Sequence, residues 1–201
     1  ADALEGLPLP DDTVHLTGFM KENMQARDRS SRILAALSAA FGGIFTCNAN
    51  KTETTVGYGT LYGDLAGAFA ATADLWKYQI YELGRKLNAW YGRAVIPEGI
   101  FTVMPSAELS ENQDVTQGKG DPLIYEYHDY LFRSFIEPWQ RQTPEDILKA
   151  YAKGNLEDLI GCSIIVSNIF PTAKDFIEDL EKWWNLFSGF AVAKRIQTPP
   201  L

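Results

Sequence analysis

The 201-residue sequence is short of cysteine, histidine and positive charge. Its two cysteines, Cys47 and Cys162, form no Cys-x-x-Cys and have no ligand-like neighbours. That excludes a disulfide framework and a thiolate metal site, and it fits two buried thiols in a reducing compartment. His128 has no second ligand residue one helical turn on, so a place on a helix face or in the core outweighs metal binding. Eighteen Lys and Arg against 26 Asp and Glu leave a formal net charge of -8. With no basic stripe to meet phosphate backbones, nucleic-acid binding is excluded as the main task. No apolar run is long enough to span a bilayer, and no signal peptide is visible, so the chain reads as cytoplasmic and not membrane-bound. A Gly-x-Ser-x-Gly elbow, a Gly-x-Gly-x-x-Gly fingerprint, internal repeats and low-complexity tracts are all missing, which leaves little for a hydrolase or a reductase.

What is there, 46% hydrophobic and 22% charged residues, suits one globular domain over 1–201. Residues 1–19 read as a lead-in loop. The chain opens without Met and stops at Thr198-Pro199-Pro200-Leu201, so the expectation is a fragment.

The apolar residues Ile33, Leu34, Leu37 and Phe41 recur at helical spacing and Gly42-Gly43 supplies a stop, predicting a long helix from Met20 to Phe41. Near its start Asn23 and Arg27 project from one face, able to grip a ligand or a partner subunit together. Spacing alone favours a plainer reading, a solvated face in which Arg27, Arg29 and Arg32 pair with Glu22 and Asp28. Ile44 to Cys47 reads as a buried strand, and its carboxyl end, at Asn48, is where open α/β sheets bind ligands.

The stretch from Asn48 to Lys77 carries the densest signal. Glu53 follows Asn50 at capping-box spacing, so by itself it reads as a helix cap. Gly57, Gly59, Gly63 and Gly67 allow close backbone approach or positive φ. Asp74 is the expected N-cap of a helix running to Trp90, with Ile80, Leu83, Leu87 and Trp90 on its buried side. Lys77 then lies in the first turn, where the helix dipole disfavours a cation. A bound phosphate would remove that conflict; a lysine lying along the surface is the plain alternative.

Ile100 to Met104 reads as a second strand, with Ser106 just past it, placed either to cap a turn or to meet a phosphate. Residues 110–122 form a polar loop with the composition of a mobile cover. Helices follow over Tyr125–Ile136, from Thr143-Pro144 to Gly154, and from Thr172 to Gly189, with a short turn over 155–160. Residues 163–170 are ambiguous, and Lys194 and Arg195 lie in what reads as a basic, extended tail. Two strands among roughly six helices are too little sheet for a complete doubly wound domain, so the expected class is α/β, the second half of a parallel-sheet domain.

Several segments, in order, resemble NAD synthetases, the ATP-pyrophosphatase-type enzymes that convert deamido-NAD to NAD. They are Glu22 to Arg27, Asn50 to Glu53, Val56 to Tyr58, Leu61 to Asp64, Lys77, Ile96 to Glu98, Pro105 to Leu109, and Lys194 to Pro200. Each is weak singly and the ordered series is specific. The resemblance implies the C-terminal part of an adenine-nucleotide alpha-hydrolase-like, Rossmann-like domain, mostly helical in this stretch, and an amide-forming ligase. It assigns Mg²⁺ to Glu53, ATP to Asn48, Lys77 and Ser106, and deamido-NAD to Asn23, Arg27, Tyr58, Gly59, Thr60, Leu61 and Lys194. It also implies ammonia, free or glutamine-derived, as co-substrate, with a lean toward the glutamine-dependent form, and a homodimer that builds part of the deamido-NAD site.

The sequence departs from the pattern in two ways. Asn48 stands where many members have a Thr that contacts ATP. The pyrophosphate-gripping Ser-Gly-Gly-x-Asp-Ser loop is absent, as is a Cys-Glu-Lys glutaminase domain. The chain alone is therefore expected to be inactive, and the alternative reading is a non-catalytic nucleotide-binding or dimerisation module.

Overall fold

The computed structural model describes residues 17–107 and 115–200. The first helix starts where Thr17 accepts from the Met20 N–H, and α1 (Gly18–Arg27) runs through a π-helical stretch (Asp28–Leu34) into α2 (Ala35–Phe41), ending on Gly42 at φ 63°. The expected long helix is present, but only Ala26 and Ser30 are fully buried, and Ile33, Leu37 and Phe41 face outward.

Helices α3 (Lys51–Val56), α4 (Lys77–Tyr91) and α5 (Gly99–Thr102) follow, then α6 (Tyr125–Ile136), α7 (Pro144–Lys153), α8 (Leu156–Ile160), α9 (Ala173–Ser188) and α10 (Phe190–Gln197). Thr143 and Thr172 each cap a helix through a reciprocal box, with Asp146 and Asp175 respectively, and Pro144 occupies the first turn of α7. The core is built around α6, whose Tyr127, Leu131, Phe132 and Phe135 pack against Phe176, Leu180 and Trp183 of α9 and Ile147 of α7. Its aromatic rings interlock: Phe132 meets Trp183 edge-on at 5.4 Å, and Tyr151 stacks on Phe176 at 4.1 Å.

Several sequence expectations need correction. Among the described residues no β-strand forms. Ile44 to Cys47 is extended, but Ile44 is exposed and only two bonds pair it with its neighbour, Ala68 N–H to Phe45 O and Cys47 N–H to Phe69 O. Ile100 to Thr102 is helical, started by the Ile100 N–H on Pro97 O and closed by the Val103 N–H on Gly99 O. An apolar run without a neighbouring strand has no ladder to satisfy its backbone, and local turns satisfy it instead. The α/β expectation thus reduces to a mostly helical chain.

Asp74 does not cap α4; its carboxylate reaches Lys51 at 3.1 Å. Nor is the expected apolar side of α4 buried: Leu83 and Trp90 are exposed, and only Gly84 is fully buried. The 163–170 stretch holds a 3₁₀ turn, Val166–Asn168. The tail bearing Lys194 and Arg195 is helical, because Arg195 Nη2 bonds the Phe187 carbonyl and Ala191 buries fully beside α3. No helix among the described residues is long and apolar enough to cross a membrane.

Candidate active site

Two clefts meet beside α3. The first, about 630 Å³, is lined by Asn48, Glu53, Lys77 and Ser106, with an apolar wall from α4 and residues 96–104. The second, about 820 Å³, is lined by Asn23, Arg27, the turn 57–61 and Lys194, with Trp183, Leu186 and Phe190 behind. Tyr58, Asp64 and Ala107 line both.

In the first cleft the capping reading of Glu53 is realised. Its Oε2 accepts from the Asn50 N–H at 3.0 Å and its Oε1 from Asn50 Nδ2 at 2.8 Å. Burial pushes its carboxyl above the usual range, against the Asn50 N–H and the Lys77 charge, which favour the ionised form. The same side chain also faces a second carboxylate through one hydroxyl: Tyr125 Oη lies 3.1 Å from Glu53 Oε1 and 3.0 Å from Asp121 Oδ2. A phenol has one proton to give, so the two carboxylates hold more acceptor capacity than Tyr125 can satisfy.

Asp121 ties the site together. Its Oδ1 accepts from Tyr58 Oη at 3.0 Å and from the Ala107 N–H at 3.1 Å, and its own N–H bonds Pro105 O at 2.9 Å. Residues on both sides of Ser106 are thereby fixed. Residues 110–114 of the expected 110–122 loop lie outside the described residues, while Val115–Gln117 form a 3₁₀ turn. Lys77 opens α4, and its ammonium rests between the rings of Tyr125, at 5.1 Å, and Tyr81, at 5.6 Å. Asn48 is exposed at the rim, with its Oδ1 taken by the Thr46 hydroxyl at 2.8 Å.

The second cleft is organised by a backbone turn whose polar groups are engaged from all sides. Lys194 Nζ donates to the Gly57 and Gly59 carbonyls, each at 2.6 Å, and Arg27 Nε donates to Leu61 O at 3.1 Å. The Thr60 hydroxyl donates to Asn23 Oδ1 at 2.9 Å, and the Thr60 N–H to Asp64 Oδ1 at 2.6 Å. Burial lowers the Lys194 ammonium's pKa. Gly57 has φ 67°, and a β-carbon there would lie 2.9 Å from Ala191 Cα, so the turn can approach α10 only without a side chain. Arg27 stays exposed and Arg32 pairs with Asp28, as the plainer reading expects, yet Arg27 and the half-buried Asn23 also reach the turn.

Every residue that the resemblance assigned to a ligand or metal lines one cleft or the other. Sequence reasoning gave no site role to Asp121 or Tyr125, and named Asp64 only as the end of a motif. Tyr125 read only as a helix aromatic and Asp121 only as loop, and nothing local distinguishes them, because their role depends on α6 being brought against α3.

The family model described as NAD synthase matches residues 9–160. The chain belongs to the NAD synthase family. It is 43% identical over 127 residues to the glutamine-dependent NAD(+) synthetase of Thermotoga maritima, covering 63% of this chain and 21% of that protein. It is 37% identical over 164 residues to the Xanthomonas campestris enzyme of the same name, covering 79% of this chain and 28% of the relative. The chain thus spans about a quarter of the length of these family members. Among solved structures, the NMN synthetase of Francisella tularensis aligns with 90% of this chain and 56% of its own at 24% identity and a TM-score of 0.49. That score leaves the sequence matches as the basis of the assignment.

Proposed function

We propose that this chain is part of the amide-forming domain of a NAD synthetase, with an adenine-nucleotide alpha-hydrolase-like fold, working in the cytoplasm. The reaction is the ATP-dependent amidation of deamido-NAD to NAD through an adenylated carboxylate, releasing pyrophosphate and AMP, with ammonia, free or from glutamine, as the nitrogen source. The observation that carries this reading is the junction of the two clefts at Tyr58, Asp64 and Ala107. Two ligands bound on either side of that junction would meet there, as the transfer of an adenylyl group to a carboxylate requires.

In this reading the first cleft takes ATP. Lys77 stands where the departing phosphates gather negative charge, Ser106 and Asn48 add hydrogen bonds, and the α4 wall excludes water. The second cleft takes deamido-NAD, with Asn23, Arg27 and Lys194 shaping the 58–61 turn around it. The oxygen-only donor set of Glu53 and Asp121, short of protons at Tyr125, fits a hard divalent ion that completes its shell with phosphate and water. Glu53 would hold Mg²⁺ with Asp121 beside it, and the ion would supply charge neutralisation. Among the described residues no group of three or more His, Cys, Asp or Glu could hold a metal alone. The exposed apolar residues Ile33, Leu37 and Phe41 support a homodimer built on the first helix.

The test is NAD formation from deamido-NAD, MgATP and ammonia by a polypeptide that carries this sequence together with the Ser-Gly-Gly-x-Asp-Ser loop. Glu53→Ala in that polypeptide abolishes turnover, and retained turnover removes Glu53 from the site. In the same assay the chain by itself is expected to make no NAD. The rival reading, a non-catalytic dimerisation module, is favoured if calorimetry with ATP and deamido-NAD gives no heat while light scattering gives a dimer.

A further inference from the structure

The buried carboxylate of Asp129 lies outside both clefts, yet it is bonded to both helices that supply the first. It is fully buried on α6. Its Oδ2 accepts from the Tyr78 N–H at 2.9 Å, and its Oδ1 accepts from the Thr52 hydroxyl. The Lys77 N–H in turn points at Thr52 Oγ1, 3.4 Å away. The second backbone donor of α4 is thus capped by a side chain from another helix, while Asp74, the expected local cap, pairs with Lys51.

Thr52 precedes Glu53 on α3, and Tyr78 follows Lys77 on α4. A single carboxylate therefore fixes the elements that bear the carboxylate and the cation of the first cleft. It also places negative charge at the helix end where Lys77 is disfavoured by the dipole.

We propose that Asp129 is a positioning residue, which by capping α4 through Tyr78 and holding α3 through Thr52 sets the spacing of Lys77 and Glu53 across the first cleft. The inference rests on reading Lys77 and Glu53 as the ATP side of the site. Removing the carboxylate leaves the Tyr78 N–H unpaired and frees the first turn of α4, so that Lys77 loses its seat between Tyr81 and Tyr125. Asparagine at this position keeps the geometry, since its oxygen accepts from Tyr78 and its amide donates to Thr52 Oγ1.

The experiment is competitive acylation of lysines on the whole chain, read peptide by peptide by mass spectrometry. Variants are Asp129→Ala, Asp129→Asn, Thr52→Val and, as a core control, Ile147→Val. Asp129→Ala is expected to raise Lys77 labelling about fivefold, the factor that a lost helix cap corresponds to, with Lys182 unchanged. Asp129→Asn is expected to return it to the wild-type rate, and Ile147→Val to leave it there. Should Asp129→Ala fail to fold, Thr52→Val, which removes one arm of the same bond, is expected to raise Lys77 labelling selectively.

Unchanged Lys77 labelling in Asp129→Ala overturns the proposal, or in Thr52→Val where the alanine variant does not fold. An equal rise in Ile147→Val overturns it as well. In the loop-bearing polypeptide, Asp129→Ala is also expected to raise KM for ATP with a smaller change in kcat, while Asp129→Asn and Ile147→Val leave KM alone. If the wild-type polypeptide makes no NAD, the assigned function fails, while the labelling pattern still decides the role of Asp129.

Discussion

Helices α6 and α1–α2 carry similar apolar periodicity and meet opposite environments. On α6 Tyr127, Leu131, Phe132 and Phe135 are sealed by α7 and α9, and even His128 and Asp129 are buried. On α1–α2 Ile33, Leu37 and Phe41 repeat at the same spacing and face outward, Phe41 with 85% of its surface exposed. Period identifies a helix and its apolar side; it does not say whether that side is covered by the same chain. The buried helix supplies stability and fixes Asp129, while the exposed one contributes Asn23 and Arg27 to the second cleft and keeps an apolar surface beside it.

The contrast can be broken most forcefully in the core. Trp183 packs on Phe132 and His128 and bonds Asp179 at 2.9 Å, so Trp183→Ala should cost about 3–5 kcal/mol in urea unfolding. Phe41→Ser should stay within about 0.5 kcal/mol for the monomer and act instead on mass in solution, shifting a dimer to monomer by light scattering. A core-sized loss at Phe41 would mean that the outward face is covered by this chain after all.

A pH series sharpens the same comparison. Burial pushes the Asp129 carboxyl up to about 6, from an ordinary 3.8, so between these values the native state binds more protons than the unfolded one. Stability from this group therefore falls as pH rises from about 4 to about 6, by up to about 3 kcal/mol in total. His128 acts oppositely: burial lowers its pKa below 6.5, and its contribution is lost as pH falls. The stability difference between wild type and Asp129→Asn isolates the first effect. It should decline across pH 4 to 6, and a flat difference contradicts the burial argument.

Two smaller effects probe the turns around the second cleft. Gly57→Ala meets both a positive φ and the Ala191 backbone and should cost about 1–3 kcal/mol by urea midpoint. Tyr62, exposed at φ 60° in the left-handed region, should be relieved by Tyr62→Gly, with a gain of about 1 kcal/mol. A loss at Tyr62→Gly instead would show that its ring is held by contacts.

Helices with local signals were legible. Thr143 with Pro144 and Thr172 with Asp175 announce α7 and α9, because capping is decided within one turn of chain. The strands at Ile44 and Ile100 were misread because a strand exists only by its neighbour, and no strand pairs with either run among the described residues. In the clefts, Glu53, Lys77, Asn23 and Arg27 were legible through the ordered motifs, whereas Asp121 and Asp129 join sites distant in sequence, Asp129 reaching Tyr78 and Asp121 reaching Tyr58. No spacing rule reaches that far. Local pattern located residues that line the clefts, and only the packed chain located the carboxylates bonded between their elements.

The joined clefts make one demand that a single measurement can test: exchange of labelled pyrophosphate into ATP, with the loop-bearing polypeptide and no ammonia. In the proposed reaction adenylation needs both ligands at the junction, so the exchange should require deamido-NAD and should vanish in Glu53→Ala, from the first cleft, and in Arg27→Ala, from the second. Exchange that proceeds without deamido-NAD, or that survives Glu53→Ala, would contradict the two-cleft account.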